Sequence, residues 1–262
     1  MKHKLAATTL LLAATLSLAA PGDWKRVGAP GVWAATLGGT ALDGKLYTIE
    51  STGALYVTNP ETGGWKLIGK PEFINTRWLV GAAGALYSIE ASGSFFRINP
   101  ADGSWKQVGP AGAWAGTTAI AELGGKIYTV QKGALYATDP ATGAWAQIGK
   151  PEFGRTAVLF GLGGMLYSIE KDGSLYAIDP KTGSWSQRGK KGEWGPTIAI
   201  TAVNGKLYSV ETSGKLYVTE PSTGAWKPLG KPEFGATRRM FGVGSKLYTL
   251  EADGSLYVVS VD

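Results

Sequence analysis

A tryptophan returns at near-constant spacing along this chain: Trp24, Trp65, Trp105, Trp145, Trp185 and Trp226, separated by 41, 40, 40, 40 and 41 residues. Between these markers the same words recur in the same order. In the fourth unit they are Gly163-Gly164, Leu166-Tyr167, Lys171-Asp172-Gly173, Leu175-Tyr176 and Pro180-Lys181-Thr182-Gly183. Such a unit is too small to bury both faces of its own strands, so it must stack on copies of itself.

Each unit reads as four strands. In the fourth, Thr156 to Leu162 is the first, Leu166 to Glu170 the second, Leu175 to Asp179 the third and Trp185 to Arg188 the outermost. Short Gly turns between runs of Tyr, Val, Ile and Leu are hairpin signals. The unit after Leu247 lacks its Trp strand, whereas Trp24-Lys25-Arg26-Val27 is a Trp strand without a unit. Joining the two completes twenty-four strands in six sets of four. The expected fold is all-β: a six-bladed β-propeller with four antiparallel strands per blade, closed when the N-terminal strand completes the last blade. Closure also removes an open sheet edge.

Over residues 22–262, read as a single domain, the chain resembles bacterial six-bladed β-propellers. The run from Gly133 to Gly143 (GALYATDPATG) is similar to pyrroloquinoline-quinone-type repeats, although Trp145 follows too soon for that family's docking tryptophan. The quinone enzymes of that family have more blades and a vicinal disulfide, which a chain without cysteine cannot form. The Leu-Tyr hairpins also resemble those of tachylectin-type propeller lectins. That resemblance implies one sugar site per blade.

Residues 1–19 read as a cleaved signal peptide, with Lys2 and Lys4 as the basic start, an apolar run from Leu5 to Leu18, and Ser17 and Ala19 as small residues for cleavage. The run is shorter than the ~20 residues that cross a bilayer, so no membrane span is expected and the protein is placed as secreted or periplasmic. Cleavage would lower the formal net charge of +6 by two and remove His3, the only histidine. Without His or Cys, Ser-His-Asp and Cys-His catalysis and the usual zinc and haem ligand sets are excluded. The lysines are scattered rather than grouped, which argues against nucleic acid as a partner.

Two recurring features read as structural. The turns opening at Asn59, Asn99, Asp139, Asp179 and Glu220 place Pro and Gly where a type I turn needs them, so neither metal nor other cofactor is expected there. The outer-strand tryptophans read as wedges between blades. The tyrosine pairs, such as Tyr47 and Tyr56, read as packing with a polar tip.

The segments entering each blade break the sixfold pattern. Their aromatic residue alternates: Trp33, Phe73, Trp114, Phe153, Trp194 and Phe234, the phenylalanines following Lys-Pro-Glu. The period is therefore two blades, a pseudo-threefold ring. Arg77, Arg155 and Arg238 cluster in these segments, and Glu90, Glu170 and Glu251 end second strands at the same rim. Antiparallel counting places Glu90 opposite Arg77 and Glu251 opposite Arg238. Each pair reads either as a cross-strand ion pair or as the polar flank of an aromatic floor for a polyol. These twelve residues form the candidate ligand site.

The leading expectation is a monomeric, non-catalytic binding protein whose partner is a glycan or cell-surface ligand. A protein-interaction scaffold is one alternative. Another is a hydrolase or lactonase working in the central channel near Glu122, the one acidic residue where other units carry Ala or Gly.

Overall fold

The computed structural model describes residues 19–261. The expected signal peptide lies outside the described residues up to position 18. Six four-stranded antiparallel sheets form the blades of a propeller; five run in sequence order from the inner strand to the outer, and the sixth takes the first strand of the chain as its outer one. The inner strands of blades 1 to 6 are Thr36–Leu42, Thr76–Ala82, Thr117–Leu123, Thr156–Leu162, Thr197–Val203 and Thr237–Val243. The outer strand of blade 6 is Trp24–Val27, which pairs antiparallel with Leu256–Val259 from Trp24 opposite Val259 to Val27 opposite Leu256. The closing strand is where the repeat count put it.

Local chemistry explains the blade. The turn between inner and second strands is Gly163-Gly164 in blade 4 and Asn204-Gly205 in blade 5, and both residues of each have positive φ. That backbone matches the twist of the flanking strands, so these residues hold a tight hairpin. The second strand then buries a Leu or Ile anchor, from Leu46 to Leu247, at 0–1% exposure in all six blades. Burying each contributes roughly 1.5–3 kcal/mol. The tyrosine that follows each anchor is also buried, as expected.

Blades meet through glycines. A Cβ on Gly63 of blade 1 would lie 2.4 Å from Gly28 Cα after the outer strand of blade 6. One on Gly22 would lie 2.4 Å from Gly230 Cα after the outer strand of blade 5. The closing blade thus packs on both neighbours through the same contact.

The two-blade period is structural. A Cβ on Gly81, Gly161 or Gly242 would fall 2.7, 2.2 or 2.3 Å from the carbonyl oxygen of Ala41, Glu122 or Ala202 respectively. Inner strands of blades 1 and 2, 3 and 4, and 5 and 6 therefore approach closely, and the three junctions between these pairs are looser.

Candidate functional site

The linker aromatics take a different place from the one expected. Trp33, Phe73, Trp114, Phe153, Trp194 and Phe234 are buried, none above 4% exposed. Each backbone N–H donates to a glycine carbonyl of the preceding blade, for example Trp114 to Gly93 at 2.9 Å and, across the closure, Trp33 to Gly254 at 3.0 Å. They are the wedges between blades and offer no open ring face. Trp33 also donates its indole N–H to Thr58 Oγ1 at 3.3 Å.

The outer-strand tryptophans exchange roles with them. Trp65, Trp105, Trp145, Trp185 and Trp226 are 40–49% exposed. They lie on the last strand of each sheet, which no further strand covers. Each rests on a third-strand aromatic: Trp105 meets Phe96 edge-on at 5.1 Å, and Trp185 meets Tyr176 edge-on at 5.0 Å.

The rim pairing is shifted by one residue. A bulge after the first residue of each inner strand places Thr76 opposite Glu90 and Thr237 opposite Glu251. Simple antiparallel counting misses that extra residue, so Arg77 and Arg238 are not the partners of these carboxylates. Instead Thr Oγ1 donates to Glu Oε1: Thr36–Glu50 and Thr76–Glu90 at 2.7 Å, Thr156–Glu170 at 2.9 Å and Thr237–Glu251 at 2.8 Å. In blade 5 the hydrogen-bond partner of Glu211 is the Tyr217 hydroxyl, whose pKa is raised by burial first and then by this carboxylate.

These contacts open equivalent clefts in blades 2 and 4. The blade 2 cleft, about 420 Å³, brings Glu72, Asn75, Ser88, Glu90, Phe96 and Trp105 together beside Phe73. The blade 4 cleft, about 170 Å³, brings Glu152, Arg155, Glu170, Asp172, Tyr176 and Trp185 together beside Phe153. In both, the Glu of Lys-Pro-Glu-Phe holds the indole: Trp105 Nε1 donates to Glu72 Oε2 and Trp185 Nε1 to Glu152 Oε2, each at 3.0 Å. Ser88 and Ser168 donate at 2.8 Å to Glu90 and Glu170, which stay half-buried. The corresponding Glu50 and Glu251 are fully buried, each with Oε2 unpartnered. Arg155 and Lys191 flank Asp172 at 4.0 and 3.9 Å. The Ser174 N–H, which donates to Asp172 Oδ1 at 3.0 Å, and secondarily these cations hold the Asp172 carboxyl below its usual range. In blade 6, Trp24 leans onto Phe234 at 5.2 Å.

Of the expected residues, Phe73 and Glu90 thus meet in one cleft, and Phe153, Arg155 and Glu170 in the other. Arg77 is exposed on its bulge, and Arg238 lines the central channel. Glu72, Glu152, Trp105 and Trp185 were not anticipated. Their signal was present: Gln107 and Gln187 share a strand face with the two tryptophans at a spacing of two, and a glutamine marks a wet face.

The channel, about 470 Å³, is lined by all six inner strands. Glu122 lines it, but its Oε1 accepts the Gly125 N–H at 2.8 Å and caps its own hairpin. The turn-opening side chains act likewise: Asp139 and Asp179 Oδ1 accept the Ala141 and Lys181 N–H groups at 2.8 Å. Among the described residues no helix is long and apolar enough to cross a membrane.

Comparison with known proteins agrees with this architecture. The family described as outer membrane protein assembly factor BamB matches residues 104–233, from the end of blade 2 to the linker entering blade 6. No curated protein matches. Among solved structures, YCF48 bound to D1 peptide is 14% identical, with 86% of this chain and 77% of that one covered at a TM-score of 0.59. YCF48 from Cyanidioschyzon merolae is 12% identical, with 84% and 81% covered at 0.59. Virginiamycin B lyase from Staphylococcus aureus is 15% identical, with 92% and 88% covered at 0.58. At such identities the likeness carries the fold. The chain is a β-propeller with PQQ-like repeats.

Proposed function

We propose that this is a non-catalytic binding propeller of the secreted or periplasmic space, holding carbohydrate in the clefts of blades 2 and 4. One observation carries the reading. In both clefts a linker glutamate fixes the N–H of a half-exposed indole, while a serine-bound glutamate lines the same cleft. The C–H face of a sugar packs on such a ring, and its hydroxyls need fixed acceptors and donors beside it. Two clefts on one rigid ring would gain avidity on a multivalent glycan.

Catalysis has less support. A virginiamycin B lyase in which histidine is replaced by alanine is catalytically inactive, and the only histidine here is His3. Glu122 is occupied by its turn, and acid–base hydrolysis needs a second carboxylate. Placement outside the cytoplasm is supported by the basic and apolar N-terminal run and by the outer-membrane family description. A protein ligand is the second reading, favoured by the structure of YCF48 bound to D1 peptide.

The test is a glycan array followed by calorimetry with the best hit. Trp105→Ala and Trp185→Ala should each weaken binding and together abolish it. A wild-type protein that captures no glycan, or a double variant that binds as wild type, rejects the carbohydrate assignment.

A further inference from the structure

The central channel carries groups that the blade clefts do not use. Its wall consists of six inner strands, each the terminal strand of its sheet. Their edge N–H and C=O groups are therefore unpaired within the sheets and form a template for an added strand. Arg238, Arg239, Val158 and Ile198 converge on the channel where the inner strands begin. Val158 is 37% and Ile198 38% exposed, so aliphatic surface stands open beside the two guanidinium groups.

No ion pair among the described residues includes either arginine. Arg238 donates to the carbonyls of Glu251 at 3.2 Å and Trp33 at 3.1 Å, and Arg239 to that of Leu37. Both thereby bridge the loose junction between blades 6 and 1. Asp253, whose carboxyl is held below its usual range by Ser255 first and in small part by Arg238, is engaged with Ser255 at 2.8 and 3.0 Å. Thr197 lines the same mouth, although its hydroxyl is buried.

We propose that this mouth binds the C-terminal carboxylate of an extended aliphatic polypeptide, received by Arg238 and Arg239, with Val158 and Ile198 covering the adjoining side chain. A carboxylate matches the fork of a guanidinium. The unpaired strand edges suit a peptide backbone, and the aliphatic wall suits its side chains better than a sugar ring.

The experiment is fluorescence anisotropy with fluorescein-Gly-Leu-Val-Leu-Ile as the free acid and as the C-terminal amide. The acid should bind, and the amide should bind about tenfold or more weakly, as loss of a charge-assisted hydrogen bond implies. Arg239→Gln should reduce the acid to the level of the amide. Arg239 also bridges two blades, so Ile198→Glu, at an exposed position, supplies the independent variant and should abolish binding of the acid. Trp105→Ala and Trp185→Ala should leave it unchanged, which separates this site from the glycan clefts. Equal binding of acid and amide overturns the proposal. So does a folded Ile198→Glu protein that binds the acid normally, or Arg239-dependent binding of galacturonate without binding of the peptide acid.

Discussion

The hydroxyl of Thr237 donates to Glu251 Oε1 at 2.8 Å, joining the first residue of the inner strand of blade 6 to the last residue of its second strand. The same bond recurs in blades 1, 2 and 4. A bulge directly after the threonine frees the next residue from the register, which is how Arg238 can reach across to Trp33. Blade 3 has Gln131 where the others have glutamate, and Thr117 has no partner there.

Glu251 gives a pH prediction. Burial raises its pKa above the ordinary 4.5, against the lowering effect of Thr237. The native state therefore binds this proton more tightly than the unfolded chain does. The contribution of Glu251 to stability should fall as pH rises from about 4.5 through the raised value, and then level off. Glu251→Gln, the residue that blade 3 carries, should melt higher at pH 7, by roughly 2–4 °C for each kcal/mol relieved. That gain should disappear as pH falls towards 4.5. Melts from pH 4 to 8 showing a gain independent of pH would reject this account.

The paired inner strands give a second prediction. Gly161 and Gly242 have no positive φ, yet a Cβ there would stand 2.2 and 2.3 Å from a neighbouring carbonyl oxygen. Replacing either with alanine must push two inner strands apart, at a cost of about 1–3 kcal/mol or more. Gly38→Ala is the control, because nothing lies within 4 Å of its Cβ position. Denaturant titration should separate the two classes, and equal effects would show that the pairing of blades is not a matter of contact.

The blade was legible because its signals are local. Gly163-Gly164 fixes a hairpin, Leu166 fixes the buried face, and the inner strand of blade 4 spans Thr156–Leu162, as the pattern indicates. The pseudo-threefold was legible too, from the alternating Trp and Phe. The bulge was not, because an extra backbone residue leaves no mark in side-chain periodicity. The two sets of aromatics were assigned to each other's places for a related reason. Recurrence marks both alike, and only the company they keep distinguishes them. Trp105 shares its strand face with Gln107, whereas Trp114 is held by a backbone bond to Gly93 that no side-chain pattern reports.

That exchange is itself testable. Trp114 is 1% exposed and packs on Phe95 at 4.9 Å, so Trp114→Ala should cost about 3–5 kcal/mol. Trp105 is 48% exposed, and Trp105→Ala should cost far less while abolishing any ligand bound in the blade 2 cleft. Thermal melts and ligand titration on both variants decide the matter. A larger loss of stability at Trp105 would return the outer tryptophans to the role of wedges.

Closure rests on Trp24–Val27, and its removal has a defined consequence. Val27 is 5% exposed and belongs to the same core cluster as Trp33 and Leu46 of blade 1, while Trp24 packs on Phe234 and on Tyr257 at 4.3 Å. A chain starting at Gly28 would lose that packing. It would also leave Leu256–Val259 as an uncovered edge strand ready to pair with another molecule. Such a chain should melt at lower temperature and self-associate on size-exclusion chromatography. A synthetic peptide spanning residues 20–28 should restore the monomer, because the register from Trp24–Val259 to Val27–Leu256 is formed by backbone bonds that do not require covalent continuity. A truncated protein that stays monomeric with an unchanged melting temperature would show that the ring closes without this strand.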